Sequence, residues 1–159
     1  MTREEIAQWI PHGPSMLLLH QLTHCDPECL VAIGRSPQDA EIPLRDRRDR
    51  LPVSAALEYA SQAMALHRAL SVGSNSPEPR RGFLIRVRQF EWIPSSLDDL
   101  SPKIRIEVIL EHGSEDVALY RFRLSDQGLD QCRGRLTVHL ESKAEAKTAE
   151  VLSSRVSGP

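Results

Sequence analysis

The hydrophobic period of this chain changes from helical to two between residues 70 and 83, and that change constrains the fold more than any other feature. From Ala55 to about Leu70 there are six alanines, with Leu57, Met64, Leu66 and Leu70 and little charge before Arg68. Small apolar residues on all sides predict one long helix buried over most of its circumference, with Ser54 as its N-cap and Gly73-Ser74-Asn75-Ser76-Pro77 as its end. After it the period becomes two. Phe83, Ile85 and Val87 alternate with Leu84, Arg86 and Arg88; Ile104, Ile106, Val108 and Leu110 with Lys103, Arg105, Glu107 and Ile109; Ala118, Tyr120, Phe122 and Leu124 with Leu119, Arg121 and Arg123; and Cys132, Gly134, Leu136, Val138 and Leu140 with Arg133, Arg135, Thr137, His139 and Glu141. Four such strands with one polar face predict an antiparallel sheet covered on one side, turning at His112-Gly113-Ser114 and Asp126-Gln127-Gly128.

Upstream, residues 3–9 form an amphipathic turn with Ile6 and Trp9 on one side. Met16 to Leu19 with Leu22 reads as a buried strand or its approach. Leu30, Ala32 and Gly34 continue a second strand after the Asp26-Pro27 turn, and residues 35–51 read as a loop. The expected fold class is therefore α+β, an antiparallel sheet wrapped around one long central helix. This domain spans residues 1–141, and the Ser/Ala/Lys/Glu-rich stretch 142–159 is expected to be a disordered tail. A helix and sheet edges left uncovered call for a second subunit.

Composition excludes several classes. The chain has 159 residues and a formal net charge of −2, which argues against nonspecific nucleic-acid binding, and aromatic residues are 4%, too few for a stacking platform. No apolar run approaches the roughly 20 residues of a membrane span, and Met1-Thr2-Arg3-Glu4-Glu5 lacks a signal-peptide character, so a cytoplasmic location is expected. Cys25 and Cys29 near His20 and His24 are a poor zinc frame without a distant partner pair. Together with Cys132 they read as reduced thiols, and no metal is expected.

Two residues carry candidate chemistry. Glu58 is a lone carboxylate on an apolar helix, which costs several kcal/mol unless paired or protonated. Burial there would raise its pKa toward a useful acid; the competing reading is a solvent-facing residue in the first helical turn. His12, between Pro11 and Pro14 before the apolar run Met16-Leu17-Leu18-Leu19, is either a base or a structural histidine bonded to backbone. His67 lies nine residues beyond Glu58, about 180° around a helix of 3.6 residues per turn, so it is expected to pack rather than pair with it. His20, His24, His112 and His139 read as strand-edge or surface residues. Arg45, Arg47 and Arg48, with Arg80 and Arg81 and the outward Arg86 and Arg88, can attract an acidic surface, although Asp46 and Asp49 neutralise part of the run.

Ile10-Pro11-His12-Gly13-Pro14-Ser15-Met16-Leu17-Leu18 and Pro52 through Gln62, with its six-residue step from Pro52 to Glu58, resemble the hot-dog fold dehydratases that act on 3-hydroxyacyl thioesters carried by acyl carrier protein. Gly82-Phe83-Leu84 and Leu100-Ser101-Pro102 match as well. The common members carry a Gly-His-Phe-Pro-Gly loop before the helix. The corresponding segment here is Ile42-Pro43-Leu44-Arg45, with no histidine, and Val53 replaces the usual glycine. The missing histidine, together with Glu58-Tyr59-Ala60-Ser61-Gln62-Ala63 and His67, is similar to the divergent ApeP-like branch found in aryl-polyene pigment clusters.

The resemblance implies dehydration of a 3-hydroxyacyl chain held on phosphopantetheine, with no dissociable cofactor. It implies Glu58 as acid, His12 as the relocated base, and backbone N–H groups of Val53 and Ser54 polarising the thioester carbonyl. It implies acyl carrier protein as partner, docked on Arg45, Arg47, Arg48, Arg80 and Arg81, and a homodimer or a heterodimer with another hot-dog protein. A non-catalytic subunit paired with a competent dehydratase, and a hot-dog thioesterase using Glu58 to orient water, are the competing readings.

Overall fold

The computed structural model describes residues 1–71, 82–114 and 116–140. In chain order these form α1 (Arg3–Ile6), β1 (Leu19–Cys25), β2 (Cys29–Gly34), α2 (Ala55–Ser71), β3 (Gly82–Trp92), a 3₁₀ turn (Leu97–Asp99), β4 (Ile104–Gly113), β5 (Val117–Asp126) and β6 (Leu129–Leu140). The proposed helix end at 73–77, Arg80, Arg81 and the stretch 142–159 lie outside the described residues.

The alanine-rich segment forms α2 because nothing in it branches at Cβ or interrupts the ladder. Its buried residues, Ala55, Ala56, Tyr59, Ala60, Gln62, Ala63, Met64, Leu66 and His67, recur at helical spacing, and α2 packs across β4, β2, β5 and β1. Ser54 does not cap the helix. Chain entry is instead a run of i to i+3 bonds, from Ala55, Ala56 and Leu57 N–H to the carbonyls of Pro52, Val53 and Ser54.

The sheet has six strands in the order β1-β2-β4-β5-β6-β3, every neighbouring pair antiparallel. The expected alternation holds on the central strands: Ile104, Ile106 and Val108, then Ala118, Tyr120, Phe122 and Leu124, then Cys132, Leu136 and Val138 all point into the core. Burial pushes the Cys132 thiol up to about 11. The β5–β6 hairpin turns on Gln127 (φ 48°) and Gly128 (φ 83°), the pair of positive values a two-residue primed turn requires.

β3 departs from the expectation. Phe83, Leu84, Ile85 and Val87 are all exposed, so neither face of this stretch is covered by the described residues. The strand is also irregular, with breaks in register against β6 between Leu84 and Arg86 and between Arg88 and Glu91, and with Gln89 at φ 51°. Gly134 opposite the second break permits the close crossing; a Cβ there would sit 2.9 Å from the Phe122 ring.

Candidate active site

Sequence-distant residues meet at the start of α2. Ile10 and Leu17 to Leu19 anchor the N-terminal segment in the core, and the proline-framed turn between them carries His12 over the helix. Its Nε2 lies 3.3 Å from Oε1 of Glu58, both side chains being about a quarter to a third exposed. The His12 Nδ1 is buried and, among the described residues, has no hydrogen-bond partner, so Glu58 is the group that fixes the ring.

Gln62, one turn beyond Glu58 on the same face, organises this contact and was not singled out from the sequence. It is fully buried. Its side-chain oxygen accepts from Leu18 N–H at 2.7 Å, while its amide nitrogen donates to the Met16 carbonyl at 2.8 Å and to Glu58 Oε1 at 2.9 Å. One amide thus clamps the His12 segment to the helix and orients the carboxylate. A buried amide at i+4 from the only carboxylate of an apolar helix is the sequence signal that could have found it.

The Glu58 carboxyl is shifted opposite to the expectation. The hydrogen bond from His12 holds it below the usual glutamate range; burial works against this but does not prevail, and the Gln62 bond adds to the lowering. Glu58 is therefore a carboxylate at neutral pH, and the hydrogen of the His12–Glu58 contact sits on Nε2.

Val53 and Ser54 lie at the helix entrance, where no N–H of theirs is used in a bond among the described residues. These are free donors at the positive end of the helix. Their position is set from behind: Leu51 N–H donates to Asp98 at 2.7 Å, and the Leu51 carbonyl accepts from Ser96 Oγ and Leu97 N–H.

The arginine run divides. Arg45 is only 10% exposed and turns inward, pairing with Asp98 at 2.8 Å and donating to the carbonyls of Pro37, Asp39 and Asp49. It organises the loop, whereas Arg47 and Arg48 remain on the surface. Leu44, where the common family members carry histidine, packs against the core. His67 is fully buried away from Glu58, with Nδ1 2.6 Å from the Tyr120 hydroxyl and Nε2 2.9 Å from the Asp26 carbonyl. Cys25, Cys29 and Cys132 are free thiols, and no cluster of His, Cys, Asp or Glu among the described residues is arranged to hold a metal. No helix of the described residues is long and apolar enough to cross a membrane.

No curated protein matches the chain. Among solved structures, the dehydratase heterocomplex ApeI:P from Xenorhabdus doucetiae is similar with a TM-score of 0.78 at 18% identity, covering 91% of this chain and 95% of that one. A mutant thioesterase of Pseudomonas aeruginosa aligns with a TM-score of 0.62 at 18% identity over 88% and 94% of the two chains. A thioesterase of Haemophilus influenzae aligns with a TM-score of 0.61 at 11% identity over 88% and 90%. These likenesses establish the hot-dog fold, a sheet wrapped around one main helix. The model of the ApeP-like family, described as ApeP dehydratase, matches residues 4–149, and the chain belongs to that family.

Proposed function

We propose that this chain dehydrates a 3-hydroxyacyl thioester presented on the phosphopantetheine arm of an acyl carrier protein, working in a pair with a second hot-dog chain. The observation that carries this reading is the 3.3 Å His12–Glu58 contact clamped by Gln62 beside the free N–H groups of Val53 and Ser54. Elimination of water needs one group that takes a proton from the α-carbon and one that gives a proton to the β-hydroxyl.

The resting pair holds both: a carboxylate on Glu58 and an N–H on His12. The carboxylate takes the α-proton, and the electrons of that C–H bond form the new double bond. The β C–O bond breaks as His12, in its imidazolium form, gives its Nε2 proton to the departing hydroxyl, releasing water and leaving a neutral imidazole. Return of the proton from the carboxyl to Nε2 across their contact restores the pair. The His12 hydrogen bond that holds the Glu58 carboxyl below its usual range favours this assignment, in which the two roles are exchanged relative to the expectation from sequence. Enolate charge on the thioester oxygen is met by the helix-start N–H groups. Arg47 and Arg48 offer the exposed charge for an acidic carrier surface, and the heteromeric assembly of the ApeI:P neighbour supports pairing with a different chain.

A carboxylate ionised at rest also suits a thioesterase that orients water, so the test separates the two. A 3-hydroxyacyl carrier protein is incubated with this chain, and the acyl-carrier mass is followed. Loss of one water with the thioester intact supports dehydration, and its disappearance in both Glu58→Gln and His12→Ala places the pair at the chemistry. Release of the free carrier thiol would mean thioesterase activity. Dehydration that survives both substitutions would overturn the site.

A further inference from the structure

The strand at the end of the sheet carries a charge pattern unlike the others. Each arginine of β4, β5 and β6 has a carboxylate partner: Arg105 and Arg123 on Glu107, Arg121 and Arg135 on Glu111, and Arg133 on Glu91. Arg86 and Arg88 of β3 have none among the described residues, and both are exposed. They stand in the same stretch as Phe83 (53% exposed), Leu84, Ile85 (59%) and Val87, on a strand whose outer edge has no neighbouring strand among the described residues. An unpaired edge with apolar side chains on both faces is a template for another strand. Two free cations beside it restrict which strand can be accepted.

Self-pairing is the first alternative to consider. A twofold, antiparallel pairing centred on Ile85 sets Phe83 of one copy opposite Val87 of the other, and then the two Arg86 residues lie two positions apart. Centred on Arg86, the two Arg86 residues face each other directly. Either register gathers four guanidinium groups, with no carboxylate between residues 82 and 90 to offset them. Like charges opposite one another destabilise a strand pair, and desolvating them at an interface worsens it.

We infer that Arg86 and Arg88 select the chain that β3 accepts: a strand edge with apolar residues and with carboxylates opposite the two arginines, and not a second copy of this chain. The inference rests on the proposed pairing with a second hot-dog chain and names what recognises that partner. Arg86 and Arg88 are thereby specificity determinants of assembly, acting through repulsion of the wrong partner as much as attraction of the right one.

The test uses this chain as its own probe. Arg86→Glu/Arg88→Glu supplies the same apolar edge with acidic groups, and both side chains are exposed, so the fold is retained. Sedimentation at matched concentration and low salt should show the wild type and the charge-reversed variant each associating weakly alone. Their mixture should associate at least about tenfold more tightly, and this gain should shrink as salt is raised. The neutral variant Arg86→Gln/Arg88→Gln should self-associate more tightly than wild type. Wild-type self-association as tight as that of the mixture, or unchanged in the neutral variant, would overturn the inference. No substrate enters this experiment, so selective association without dehydration would fail only the functional reading, and dehydration with unselective association would fail only this one.

Discussion

Replacing Gln62 by methionine isolates the clamp between the His12 segment and the helix. Methionine is unbranched and of similar length, so it fills the site without leaving a large cavity and removes only the polar contacts. Three bonds are lost: from Leu18 N–H, to the Met16 carbonyl, and to Glu58. Leu18 is fully buried, so its N–H is stranded at a cost of about 1–3 kcal/mol. The Met16 carbonyl belongs to a half-buried residue and can recruit water, which limits its share to about 1 kcal/mol or less. The net loss is about 2–3 kcal/mol, or a fall in Tm of about 5–10 °C for a domain of this size. Urea and thermal unfolding by circular dichroism at equal protein concentration measure it, concentration being fixed because association shifts apparent stability. A loss below about 0.5 kcal/mol would refute the clamp. Gln62→Glu sharpens the test. A second carboxylate beside Glu58 raises the pair's titration, so its stability deficit should be smallest in mild acid and grow toward neutral pH.

Arg45→Ala should destabilise by about 2–3 kcal/mol, because it removes the guanidinium partner of Asp98 and the donor to three loop carbonyls, whereas the exposed Arg47→Ala should stay within about 0.5 kcal/mol of wild type; chemical denaturation of both variants checks the division of the arginine run. His67 is held neutral because burial lowers its pKa below the usual 6.5, so the unfolded chain binds the proton first. Stability attributable to it is complete above 6.5 and is lost as pH falls through the lowered value. Unfolding free energies measured across that window should slope in the wild type and flatten in His67→Gln.

The elements were legible because their signals are local. Six alanines with no branching force a helix wherever it packs, and alternation every second residue orients β4, β5 and β6 toward whatever covers them. The Asp126-Gln127-Gly128 turn is equally local, since only residues tolerant of positive φ close a two-residue hairpin there. The hot-dog resemblance, carried by the spacing from Pro52 to Glu58, followed from the same short-range information. Three features did not. Ser54 reads as a cap, but its side chain is not recruited, because i to i+3 bonds starting at Pro52 already satisfy the entering turn. Alternation in β3 reads as one buried face, yet the strand order places it beyond β6, where the described residues supply no cover. Arg45 reads as surface charge, yet the loop folds back onto Asp98, 53 residues away.

The same division runs through the candidate site. The sequence alone determined which residue types were present: one carboxylate on an apolar helix, one imidazole between two prolines, and no histidine in the loop before the helix. Only the tertiary structure decided that His12 and Glu58 stand 3.3 Å apart, since that distance is set by Gln62 binding Met16 and Leu18 across the core. It also decided the direction of the Glu58 pKa. Burial raises a carboxyl and hydrogen bonds to its charged form lower it, and which prevails depends on atomic placement that no residue pattern along the chain encodes.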